Sequence, residues 1–136
     1  MGTQQLLLIV VGVVLVGIMI AVGLFMFRDQ AAATNRDALA NDLTHFASGV
    51  QQYYRRPSVF GGGQGKFTGL STSKLTTKPV NANGTYSLTG SPISGTPASV
   101  EIVGIGRETG IDGTSKVKVV LVVFPDSIYF DDSNGN

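Results

Sequence analysis

The chain has 136 residues, ten basic and nine acidic, for a formal net charge of +1. That balance leaves no electrostatic footprint for nucleic acid. The absence of cysteine excludes a disulfide framework, so a small domain must hold by its core and its partners alone.

The first element is the plainest. Leu6 to Phe27 reads LLLIVVGVVLVGIMIAVGLFMF and carries no charge. At ~1.5 Å per residue its helix measures roughly 33 Å, enough to cross a hydrocarbon layer of ~30 Å. A backbone in lipid must satisfy its own hydrogen bonds, so the run is expected as a helix. A chain of this length has too little protein to bury such a helix on all sides. Ahead of the run stand Met1, Gly2, Thr3, Gln4 and Gln5, with no Lys or Arg. The run is too long for a signal-peptide core, and an anchor with a cytoplasmic N-terminus should carry basic residues there. Either something else sets the topology, or a basic leader has been removed. Removal is the reading preferred, with Met1 as the processed first residue.

Gly12, Gly17 and Gly23 interrupt the aliphatic run. Small residues let helices approach closely in an apolar medium. Each glycine also costs about 1 kcal/mol of helix stability against alanine, so a stretch could unwind on assembly. Glycine is, besides, common in membrane helices, and spacings of five and six make no G-x-x-x-G face.

Arg28 to Arg56 continues the helix, with no proline and only Gly49. Leu39, Leu43, Phe46, Val50 and Tyr53 form one apolar stripe at near-heptad spacing. They are expected to pack under a sheet, with Leu43, Phe46 and Val50 buried. Pro57 must end the helix near Arg56. The division is therefore residues 1–27 as an apolar anchor helix, 28–56 as its amphipathic continuation and 57–136 as a globular β domain.

The composition changes after Pro57, where most of the 18 glycines lie. Gly61, Gly62, Gly63 and Gly65 read as a flexible connection. Strand patterns follow at Phe67 to Leu70, Thr85 to Thr89, Ser99 to Ile105 and Lys116 to Phe124. Val119 to Phe124 is apolar on both faces, as expected of a central strand. Pro125-Asp126 turns the chain into Ser127 to Phe130, an antiparallel partner. The fold class expected is α+β: a long N-terminal helix packed by its C-terminal half against a small antiparallel sheet.

Residues able to carry chemistry are few. His45 is the single histidine and reads as structural. Gly104, Gly106 and Gly110 read as strand and turn. Asn83-Gly84-Thr85 matches a glycosylation sequon but is first a turn signal. Asp126, Asp131, Asp132 and Asn134 could attract Ca²⁺, yet their spacing fits no loop motif and reads as an acidic tail. The aromatics Phe25, Phe27, Phe46, Tyr53 and Tyr54 read as core or anchor. No nucleophile–base constellation stands out. No cofactor or metal is expected, and an enzyme is the least expected class.

The opening segment, QQLLLIVVGVVLVGIMIAVG, resembles the N-terminus of type IV pilins and pseudopilins. In that family a basic leader is cut off, and the mature chain begins with a methylated residue. Thr3 often follows, then a glutamate at the fifth position, then an aliphatic run. That run anchors the subunit in a membrane and later forms the core of a helical filament. The resemblance covers about residues 1 to 56 in pattern, and the order of helix and then β domain covers the whole chain. Gln5 in place of glutamate, the lack of a proline in the run and the lack of a C-terminal cysteine pair depart from the family pattern.

The resemblance implies a structural subunit of an extracellular type IV pilus-like filament. Its partners would be identical subunits, the membrane before assembly, a leader peptidase and the assembly machinery. It would sit in the inner membrane before assembly. Met1, Gln4, Gln5, Leu8, Gly12, Leu15, Gly17 and Gly23 would line the subunit interface. The alternatives are a secretion-system pseudopilin forming a short pseudopilus, and an anchored surface binding domain that does not polymerise. Asn83 stays a weak candidate for a glycan.

Overall fold

The computed structural model of the chain describes residues 2–132. Helix α1, Gly2–Arg55, is unbroken over 54 residues, about 80 Å at ~1.5 Å per residue. It runs through Gly12, Gly17, Gly23 and Gly49 without interruption. Pro57, with φ −57° and ψ 149°, lies past its end and leads into a single 3-10 turn, Ser58–Phe60.

The glycine-rich stretch that follows is a cap, not the flexible connection expected. The amides of Gly63 and Gly65 donate to the Tyr53 and Tyr54 carbonyls at 2.8 and 2.7 Å. Those carbonyls are the acceptors a helix C-terminus leaves without intrahelical partners. A Cβ on Gly63 would stand 1.8 Å from the Lys66 carbonyl oxygen, so only glycine lets the chain fold back this tightly.

Phe67 to Leu70 is likewise a turn and not a strand. Gly69 sits at φ +77°, and the Leu70 amide donates to the Phe67 carbonyl at 3.1 Å. Phe67 and Leu70 are nonetheless fully buried. The Phe67 ring lies 4.8 Å from that of Tyr54 and closes the core beneath the end of α1. A short helix, α2 (Thr72–Leu75), comes next; four residues give no periodicity by which a sequence could announce it.

Strands β1 (Gly84–Leu88), β2 (Val100–Thr109), β3 (Lys116–Val123) and β4 (Ile128–Asp131) form one sheet. They pair antiparallel in chain order. The architecture is α+β, with the C-terminal half of α1 lying across one face of this sheet. Tyr86, Leu88, Val100, Ile102, Val117, Val119, Leu121 and Val123 point into that interface. Val120 and Val122 are buried on the opposite face as well. Their cross-strand neighbours are Val103 with Asp131, and Glu101 with Tyr129. Burial on both faces explains why β3 is uninterruptedly apolar after Lys118.

Two glycines set the helix–sheet distance. A Cβ on Gly84 would lie 2.3 Å from the Ile105 carbonyl oxygen and 2.9 Å from Leu39 Cδ2; one on Gly106 would lie 2.0 Å from Asn35 Oδ1. The Gly104-x-Gly106 pattern is thus strand backbone that lets α1 come close.

Leu39, Leu43 and Val50 are buried on the sheet side, and so are Ala32 and Ala47; Tyr53 is buried under the loop that follows α1, its hydroxyl donating to the Thr68 carbonyl at 2.8 Å. Phe46 differs from the expectation: it is only half-buried. Its ring meets Tyr86 edge-on, with centroids 5.0 Å apart. At about 100° of turn per residue, Leu43 and Ala47 lie to one side of Leu39 and Phe46 to the other. The sheet contact is centred on the former, which moves Phe46 to the flank beside β1.

Candidate functional site: the bare half of the long helix

From Leu6 to Phe27 every residue of α1 is exposed. The large apolar side chains there range from 47% exposure at Val11 to 73% at Phe27, with Leu8 at 70% and Leu15 at 52%. The globular part lies entirely on the C-terminal half. This segment is long and apolar enough to cross a membrane. Its boundary is sharp, since Phe27 is followed at once by the charged pair Arg28 and Asp29.

Fully burying each large aliphatic side chain is worth roughly 1.5–3 kcal/mol against water. Over the whole run the exposed state in water costs tens of kcal/mol. What the segment can do is therefore bind an apolar phase, whether lipid or other copies of the same surface.

Just ahead of it, Gln4 and Gln5 lie exposed in the first turn of α1. Added Cβ atoms at Gly12, Gly17 or Gly23 would meet nothing within 4 Å, so within one chain no packing demands glycine there. At about 100° per residue, Gly12 and Gly23 share one face and Gly17 lies nearly opposite. Met1 lies outside the described residues, as does Asn134.

The domain is tied to α1 by a polar cluster that no sequence motif marks. Asp42 Oδ2 accepts from Asn81 Nδ2 and Asn83 Nδ2, both at 2.9 Å, and from the Tyr86 hydroxyl at 2.5 Å. Two turns of helix before, Asn35 Nδ2 donates to the Asn83 carbonyl at 2.8 Å, while its Oδ1 accepts from the Arg107 amide at 3.1 Å. The Arg107 guanidinium closes the ring by donating through Nη2 to the Asn81 carbonyl at 2.8 Å.

Burial pushes the Asp42 carboxyl up. The hydrogen bonds from Asn83, Tyr86 and Asn81, with the charge of His45, outweigh that and hold it below its ordinary value. Burial and the Asp42 carboxylate together push the Tyr86 hydroxyl well above the usual tyrosine value. The arrangement clamps the loop before β1 onto the helix.

The remaining sequence candidates fall into place around this clamp. The side-chain nitrogen of Asn83, where a glycan would attach, is engaged by Asp42. The turn before β1 is built by Asn81, whose Oδ1 accepts the amides of Asn83 and Gly84 at 2.9 and 3.0 Å. His45 is exposed on the solvent side of α1, not packed beside the stripe. Among the described residues no group of three or more His, Cys, Asp or Glu is placed to hold a metal ion. The polar clamp was invisible beforehand because the bonds that tie its helix, loop and strand together span 26 to 72 residues; the density of asparagine around position 81 was the only local signal.

Comparison with protein-family models, with curated proteins and with solved structures finds no match for this chain.

Proposed function

We propose that the chain is a structural subunit of a type IV pilus-like helical filament. Before assembly it is held in the inner membrane by Leu6 to Phe27. On extraction that segment packs against the same segment of neighbouring copies, and the β domains face outward along an extracellular fibre. One observation carries this reading: an uncharged half-helix, bare on every face, runs without a joint into the half that carries the domain. A bare cylinder outside lipid needs apolar cover all round, and copies of itself in parallel supply it. A head-to-tail contact whose rotation does not close into a ring yields a helical polymer.

The resemblance of the first residues to pilin N-termini points the same way. Gln5 modifies it. An unpaired charge is costly in an apolar core. The amine of a processed terminus would therefore be met by amide oxygens of Gln4 or Gln5, where the family uses a carboxylate.

The test is negative-stain microscopy of material sheared from the surface of cells expressing the full-length precursor, with mass spectrometry of the mature N-terminus. Uniform fibres built of this chain are expected. A chain that stays in the membrane fraction and never enters fibres would refute polymerisation and leave an anchored domain.

A further inference from the structure

The β2–β3 hairpin reaches back along α1 to the point where the apolar run ends. A recess of about 210 Å³ lies between Phe27, Arg28 and Ala31 on the helix and Glu108, Gly110 and Gly113 on the hairpin. The turn between the strands is tightly made. The Gly110 amide donates to the Ser115 carbonyl at 2.7 Å, and the Gly113 amide to the Gly110 carbonyl at 3.0 Å. The Asp112 carboxylate accepts the amides of Thr114 and Ser115, both at 3.0 Å. Gly113, at φ +70°, supplies the left-handed residue the turn requires. This frame holds Ile111 outward at 73% exposure. Among the described residues Ile111 has no place in the core.

The anchor fixes the height of that tip. With Leu6 to Phe27 filling a hydrocarbon layer of ~30 Å, Phe27 stands at its edge. Ala31 stands about 6 Å above it, within the headgroup layer of the same leaflet. The hairpin turn lines the recess opposite Phe27, Arg28 and Ala31, so in the anchored chain it lies in that layer. Arg28 and Lys116 are balanced locally by Glu108 and Asp112, so the patch has no net charge with which to select anionic lipid.

We infer that Ile111 is a second, interfacial membrane contact: the β2–β3 tip seats in the headgroup region of a neutral bilayer beside the emerging anchor and fixes the tilt and rotation of the domain on the surface. The inference rests on the membrane-anchored stage of the proposed function and not on the filament.

The chain has no cysteine, so Ile111→Cys gives a unique attachment point for an environment-sensitive fluorophore. The full chain is reconstituted in phosphatidylcholine vesicles containing lipid brominated near the headgroup. Two comparison labels are Val59→Cys, on a residue 88% exposed at the far end of the domain, and Val14→Cys, in the middle of the run. A blue-shifted, quenched label at position 111, an unquenched one at 59, and no change with added salt are expected. A label at 111 that behaves like the one at 59, while the one at 14 reports insertion, overturns the contact and leaves the anchor standing. Quenching at 111 that disappears at high salt overturns its apolar character. A label at 14 that stays in water overturns the anchor and the contact together.

Discussion

Gly106→Ala tests the close approach of sheet and helix with a single methyl group. The new Cβ would lie 2.0 Å from Asn35 Oδ1 and 3.2 Å from Val117 Cβ, so Asn35 must swing away. In doing so it gives up the Arg107 amide at 3.1 Å and the Asn83 carbonyl at 2.8 Å. The Glu108 amide at 3.4 Å is too long to weigh much. Two good hydrogen bonds at about 1 kcal/mol each, with the crowding of Val117, give a loss of about 2–3 kcal/mol. Reduced freedom of the unfolded chain returns about 0.4–1 kcal/mol. The net expectation is a destabilisation of about 1–2.6 kcal/mol.

The informative comparison is with Asn35→Ala. That change removes the same bonds but also the main obstacle, so Gly106→Ala added to it should cost little further, the Val117 contact being offset by the reduced freedom of the unfolded chain. Urea unfolding of the full chain in detergent micelles, followed by tyrosine fluorescence and circular dichroism, measures all four corners of the cycle. Additive losses, or a Gly106→Ala chain as stable as the parent, would refute the claim that Asn35 is the element Gly106 makes room for.

Other consequences can be checked on the same material. Leu43→Ala, at a fully buried position, should cost about 2–5 kcal/mol. Phe46→Ala should cost less, about 1–2 kcal/mol, because part of its ring surface is already in solvent; equal losses would mean that Phe46 is core after all. The Asp42 carboxyl titrates below its ordinary value of 3.8 in the folded chain. Its contribution is therefore whole above that pH and is lost as pH falls through the lower folded value. Thermal melts from neutral pH into the acid range should show that loss, and Asp42→Asn should flatten it. Tyr86 has the opposite sign. Its hydroxyl is raised from 10.0, so stability should drop as pH rises above that value, and Tyr86→Phe should remove the drop. Gln5→Leu should lower fibre yield from sheared surfaces while the membrane fraction keeps its level of subunit; a leucine chain that assembles like the parent would leave aliphatic packing alone to set the register.

The long helix and strands β3 and β4 could be read from residue types. An uncharged run of this length, an apolar stripe and a β-branched block each have one dominant reading. What escaped has physical causes. Ala32 and Ala47 are buried where the helix lies closest to the sheet, yet alanine is apolar too weakly to mark a face. Phe67 and Leu70 look like strand residues because they are buried, while the backbone between them turns through Gly69. Gly61 to Gly65 look flexible, although their amides are held by the last carbonyls of α1. The clamp of Asn35, Asp42, Asn81, Asn83 and Arg107 is created by tertiary proximity alone. For the bare half-helix, the sequence shows that it needs apolar cover and the structure shows that this chain provides none.

Strand order equal to chain order has a consequence in time. The helix is synthesised first, yet the Asn35 side-chain oxygen meets its β2 partner only 72 residues later. At about 5–20 residues per second that is an interval of roughly 4–14 s. Throughout it Leu39, Leu43 and Val50 have no sheet to cover them. Thereafter each strand pairs with the one made just before it, so the sheet grows by short hairpin closures, a low-contact-order route. The vulnerable period of this chain is therefore the wait for β2 and β3, and a chaperone or the nearby bilayer surface has those seconds in which to shield the stripe.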